Sequence, residues 1–143
     1  GLVQAASGPL SLSSEGWLSN SGTLQATGAD VAVQTRGSIT QNGTVYSDRN
    51  VQLHSQADQT HSGTVAALGD VNILASGTNA QGQASSIHAS SSAIWAAGLQ
   101  PNGQLTGQQN LHVQASGQVQ TAGKALATQN LRSNACEALV SCT

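Results

Sequence analysis

An Asn or Asp recurs every twenty residues along this chain. Asp30, Asn50, Asp70, Asn110 and Asn130 fall in one column, Ser90 fills the missing step, and Pro9 opens the series one residue out of phase. Most are followed by apolar residues at the next position and two further on: Val31 and Val33, Val51 and Leu53, Val71 and Ile73, Leu111 and Val113. So short a fixed period implies one structural unit repeated along an axis.

Counted from that column, position seven is Gly or Ala (Gly16, Gly37, Ala57, Gly77, Ala97, Gly117) and position nine is often aliphatic (Leu18, Ile39, Leu99, Val119, Leu139). Position thirteen is Gly at Gly22, Gly43, Gly63, Gly103 and Gly123, with Gly82 one place early; position fifteen is again apolar at Leu24, Val45, Val65 and Leu105. Each unit thus holds three short apolar segments separated by turn residues. Within a segment apolar and polar residues alternate, as in Val31-Ala-Val33-Gln and Val51-Gln-Leu53-His. That is the period of a half-buried strand, and no segment is long enough for a helix. The glycines are expected to supply left-handed turn conformations, and the Asn and Asp to mark further corners.

Three strands and three corners in about twenty residues make one turn of a coil whose strands lie parallel and in register with those of the next. The expected fold is all-β, a right-handed parallel β-helix of six to seven coils spanning residues 1–143 as a single segment. Strand spacing of about 4.8 Å makes this a rod on the order of 30 Å long, with Val31, Val51 and Val71 stacked inside and Asp30, Asn50 and Asp70 at a corner.

Composition fits a narrow core of small side chains. There is no Phe or Met, aromatics are 2 %, charged residues 7 %, and the net charge is −2. Low hydrophobicity with so little charge is not the profile of a disordered chain. Arg36, Arg49, Lys124 and Arg132 cannot form a phosphate-tracking stripe, which argues against a nucleic-acid partner. No apolar run approaches a membrane span, and no basic segment followed by an apolar one opens the chain. Cys136 and Cys142, with five residues between them, could close a small disulfide loop in an oxidising compartment. Both rod ends would be open sheet edges, so the chain is expected to be a piece of a longer rod.

The pattern breaks between about Ser76 and Ala97, where Gly82 comes early and Ile87, Ile94 and Trp95 leave the ladder positions. This predicts a distorted coil, whose Ile94 and Trp95 are candidates for partner contact, together with an outward Trp17. Signs of chemistry are sparse. The carboxylates are Glu15, Asp30, Asp48, Asp58, Asp70 and Glu137. Asp30 and Asp70 share a column two turns apart, roughly 9–10 Å, at the upper limit for a glycosidase pair, with Asn50 between them. His54, His61, His88 and His112 occupy different offsets, show no metal-ligand spacing, and are expected as scattered surface residues. No nucleophile motif, phosphate loop or calcium nonapeptide is present, so no catalytic residue, metal or cofactor is expected.

The stretch Gly16-Trp-Leu-Ser-Asn-Ser-Gly22-Thr-Leu-Gln-Ala-Thr-Gly-Ala-Asp30-Val-Ala-Val33 is similar to the repeats of filamentous haemagglutinins and contact-dependent inhibition toxins. These are the large exoproteins of two-partner secretion. The likeness recurs in Gly37-Ser-Ile-Thr-Gln-Asn-Gly43-Thr-Val and in Ser62-Gly-Thr-Val-Ala-Ala-Leu-Gly-Asp70-Val-Asn-Ile73, and covers most of the chain. The resemblance implies a rod at the surface of a Gram-negative bacterium, exported through an outer-membrane transporter and carrying an adhesive region or a toxin toward another cell. The expected role is a stalk packed against neighbouring repeats. A binding module for a receptor or glycan is the alternative, and a polysaccharide-cleaving enzyme a third, less favoured reading.

Overall fold

The computed structural model describes residues 1–82, 86–96, 98–101, 104–115, 124–127, 130–133 and 141–142; for residue 81, residues 91–93 and everything from 95 onward only the backbone course is described. All regular structure among the described residues is strand. The first turn runs through β1 (Leu2–Ala5), β2 (Leu10–Ser14) and β3 (Leu18–Asn20), the second through β4 (Thr23–Ala26), β5 (Val31–Thr35) and β6 (Ile39–Gln41). The third comprises β7 (Thr44–Ser47), β8 (Val51–Ser55) and β9 (Gln59–His61), the fourth β10 (Thr64–Ala67), β11 (Asp70–Ala75) and β12 (Thr78–Gln81). Beyond lie β13 (Ser86–Ala96), β14 (Gly98–Pro101), β15 (Gln104–Ala115), β16 (Lys124–Ala127), β17 (Asn130–Ser133) and β18 (Ser141–Cys142).

Every pairing is parallel and joins a strand to its counterpart one turn away. The three columns are β1-β4-β7-β10, β2-β5-β8-β11 and β3-β6-β9-β12-β14. This is a parallel β-helix. Inward residues form the expected ladders: Val31 pairs with Val51 and Val51 with Val71, while Leu24, Val45 and Val65 stack in the neighbouring column. All six are buried. Buried aliphatic surface contributes about 25 cal/mol per Å², so each turn's core is stabilised only by the turns above and below it. Among the described residues four turns have three separate strands, fewer than the six to seven coils expected for the whole chain.

The turn lengths explain both departures from the period. In the first two turns partners lie twenty-one residues apart, as in Leu10 with Val31 and Leu24 with Val45. The extra residue of the second turn sits between Ala26 and Val31, where four residues bridge a corner that three bridge between Ser47 and Val51. Gly28 absorbs it at φ 72°, the one positive φ among the described residues. A non-glycine residue there would meet its Cβ strain directly.

The irregular segment is resolved in the same way. Val65 pairs with Ile87 at an offset of twenty-two, Ile73 with Ile94 at twenty-one, and Thr78 with Gly98 at twenty. Two residues are thus added after β12, one is lost at the next corner and one before β14. Only Ser90 and Ser91 separate Ala89 from Ser92, so the chain passes the corner as the single eleven-residue strand β13, with a register shift between Ala89 and Ser91 when it meets β15. Two expectations are corrected here. Ile87 and Ile94 stay on the ladders, fully buried, and Ser91, not Ser90, pairs with Asp70. Gly82 lies over Ser62, one place early as the spacing implied.

Corner glycines act differently from expectation as well. A Cβ on Gly43 would stand 1.9 Å from the carbonyl oxygen of Gly22, and one on Gly63 1.9 Å from that of Gly43. Those oxygens accept the N–H groups of Thr44 and Thr64 at 2.8 and 2.9 Å. At Gly22, Gly43 and Gly63 position thirteen is therefore glycine because successive backbones touch there, with no positive φ.

Candidate functional site

The Asn/Asp corner is a hydrogen-bonded ladder running along the axis. Asn50 N–H and Asn50 Nδ2 both donate to Asp30 Oδ1 at 3.1 Å, and Asp70 N–H donates to Asn50 Oδ1 at 2.9 Å. No member is left-handed. The side chains of Asp30 and Asn50 each reach the backbone of the following turn. Asn50 must be an amide: its Nδ2 faces a carboxylate on one side and its Oδ1 an N–H on the other. The column continues by backbone register through Ser91, Asn110 and Asn130. Asp58 repeats the device at another corner, accepting Thr78 N–H at 2.8 Å. Asp48 accepts Gly28 N–H at 3.1 Å, and its carboxylate accepts a hydrogen bond from Tyr46 that raises the phenol's pKa. The carboxylates of Asp30, Asp48 and Asp58 are thus engaged in tying turns together.

Of the surface candidates, Trp17 is 74 % exposed at the corner before β3, as expected. Ser14 Oγ steadies that corner by accepting Gly16 N–H at 3.2 Å and donating to Trp17 O at 3.4 Å. Ile94 is 0 % exposed, because the two-residue addition, reduced by one at the following corner, carries it over Ile73; it is removed from the surface candidates. Trp95 pairs with Leu74 by backbone register, and its side chain lies outside the described residues. Cys136 lies outside them too, and of Cys142 only the backbone pairing with Ala125 is described.

At the corner that precedes Trp17 in the chain is a shallow polar depression of about 220 Å³ lined by Ser13, Ser14, Glu15, Gln34, Thr35, Arg36 and Gln56. Arg36 Nη1 and Glu15 Oε2 pair across it at 2.5 Å, both side chains largely exposed. Such an exposed pair contributes about 0–1 kcal/mol and is screened by salt, so it adds little to folding and leaves both groups available to a ligand. Planar polar groups beside an exposed indole can hydrogen-bond hydroxyls and stack an apolar sugar face.

The inside of the third column holds what sequence reasoning missed. Below the aliphatic Leu18 and Ile39 come Gln59 and Asn79, and beside them run Asn20, Gln41 and His61, all buried from Asn20 onward. Asn20 Nδ2 donates to Gln41 Oε1 at 2.8 Å, while Gly22 N–H donates to Asn20 Oδ1 at 3.1 Å. Gln59 Nε2 donates to Leu53 O at 3.1 Å and Leu74 O at 2.7 Å, which leaves Gln59 Oε1 to accept His61 Nε2–H at 3.0 Å. His61 Nδ1 and Gln41 Nε2 have no hydrogen-bond partner. Burial pulls the His61 pKa from 6.5 down to about 4. His61 is therefore no surface histidine; His88 is exposed and His54 half-buried. The signal was in the sequence: positions nine and eleven carry Gln59, Asn79, Asn20, Gln41 and His61 where alternation demands inward residues.

Among the described residues no group of three or more His, Cys, Asp or Glu could hold a metal ion. No family model, no curated protein and no solved structure matches the chain.

Proposed function

We propose that this chain is a structural stalk, a right-handed β-helical segment of a secreted filamentous adhesin or contact-dependent toxin-delivery exoprotein at a Gram-negative cell surface. The observation that carries the reading is the axial hydrogen bonding of the corners. Asp30 and Asn50, like Asp58 with Thr78, spend their polar groups on the next turn, which stiffens the rod along its length. Such a spacer needs no catalytic residue, metal or cofactor. Its partners are neighbouring repeats of the same exoprotein and, during export, an outer-membrane transporter; a nucleic acid is not among them. The sequence resemblance supplies the secreted setting.

The test removes one whole turn. Deleting residues 31–50 from the full-length protein keeps every ladder in register and shortens the rod by about 4.8 Å. A stalk retains surface display and target-cell binding after this deletion, whereas deleting residues 31–40 abolishes both by throwing all ladders out of phase. Loss of target-cell binding in the first variant, with display intact, would overturn the stalk reading.

The depression at the corner preceding Trp17 favours a second reading, adhesion to a neutral glycan through Trp17, Glu15 and Arg36. A glycan-array signal lost in Trp17→Ala and in Glu15→Gln supports it. No signal with the wild-type protein on the array dismisses it. Within the irregular turn Ile94 is in the core and drops out as a contact residue, while the Trp95 side chain lies outside the described residues.

A further inference from the structure

We propose that the turn carrying β9 is an acid-released joint in the rod: protonation of the buried His61 imidazole opens the stacking of β6, β9 and β12, and neutral pH closes it. The geometry carries this. Gln59 is held by two carbonyl acceptors, Leu53 O and Leu74 O, so its amide cannot turn round; it presents Oε1 to His61 and fixes the imidazole as the Nε2–H tautomer. The lone pair of Nδ1 then points to a place with no donor within reach. A proton added there creates a cation at 0 % exposure with an N–H that has no acceptor.

Among the described residues no charged group faces the ring to compensate that charge. Its partner in β6 is Gln41 and its register partner in β12 is Gln81, neither of which titrates. The neighbouring inward residues of the same strands are Ile39, Gln59 and Asn79. The columns of β7, β8, β10 and β11 turn apolar and small uncharged side chains inward, Leu53, Val65 and Ile73 among them. The carboxylate nearest along the chain, Asp58, is at the corner and spends Oδ1 on Thr78 N–H.

The sign follows from linkage. The native pKa is depressed, so the unfolded chain binds the proton more tightly, and stability is complete above pH 6.5 and lost as the pH falls toward 4. One proton over that interval changes the folding constant by about two to three orders of magnitude. The joint is local because each turn is held only by its neighbours.

The experiment measures urea unfolding of the whole chain between pH 7.5 and 4 for wild type, His61→Gln and the surface control His54→Gln. The wild type and His54→Gln should lose stability steeply below pH 6.5, and His61→Gln should keep only the shallower slope of the carboxylates. Parallel acid slopes for His61→Gln and wild type would overturn the joint. Should His61→Gln fail to fold, ¹⁵N chemical shifts of the wild-type imidazole decide. A ring that stays an Nε2–H neutral tautomer below pH 6 supports the proposal, and a native ring titrating near 6.5 sinks it.

Discussion

Two faces of the same coil are built on opposite terms. The β7–β8 side is lined by Val45, Val51 and Leu53, stacked on Val65, Val71 and Ile73, and needs nothing but shape. The β6–β9 side buries Gln41, Gln59 and His61 as deeply, and each of those side chains must find hydrogen bonds in the turns above and below. Hydrophobicity therefore does not decide what is buried here. Register decides it: a residue two places along a strand from an inward one goes inside whatever its chemistry. Polar groups tolerate that fate when the stacking supplies partners at a constant spacing, and the amide of Gln59 shows the tolerance working. Gln41 Nε2 and His61 Nδ1 show where it fails.

Substitutions on the two faces should separate these terms. The largest loss is expected on the apolar face, where Ile73→Ala should cost roughly 2–5 kcal/mol in denaturant unfolding through the cavity between Leu53 and Ile94. On the polar face, Gln59→Leu should cost about 2–3 kcal/mol, since it strips His61 Nε2–H of its acceptor and two carbonyls of a donor. Adding His61→Leu to Gln59→Leu should recover most of that loss, because an apolar pair leaves fewer polar groups unmet. A double variant no more stable than the single one would show that the two faces do not differ in the way described.

The corner ladder lies between these extremes. Asn50→Asp puts a second carboxylate against Asp30 in place of an amide donor, which should cost about 1 kcal/mol at pH 7 and less at high salt. Thermal unfolding at two ionic strengths reads both effects. The smallest change belongs to the exposed pair: Arg36→Ala should shift stability by under about 1 kcal/mol, and its absence should be invisible in 1 M salt.

The twenty-residue column, the strand alternation and the ladders Val31-Val51-Val71 and Leu24-Val45-Val65 were legible in the residues alone, because period and burial are properties of the pattern. So was the outward Trp17, which sits beside an inward Leu18. The irregular turn was not. A two-residue addition can be compensated at either following corner, and only the pairing of Ile73 with Ile94 shows that it was compensated early enough to return Ile94 to the core.

The chain's repeat thus determined that it coils, how many strands each turn has and which residues point inward. Tertiary structure decided the reasons. Glycine at position thirteen answers to a carbonyl oxygen of the preceding turn, and Asn50 to groups twenty residues away on both sides. The buried His61 owes its tautomer to a glutamine held by two other strands. All three are contacts between turns, and a sequence read along one turn contains the residues that make them but not the distance that brings them together.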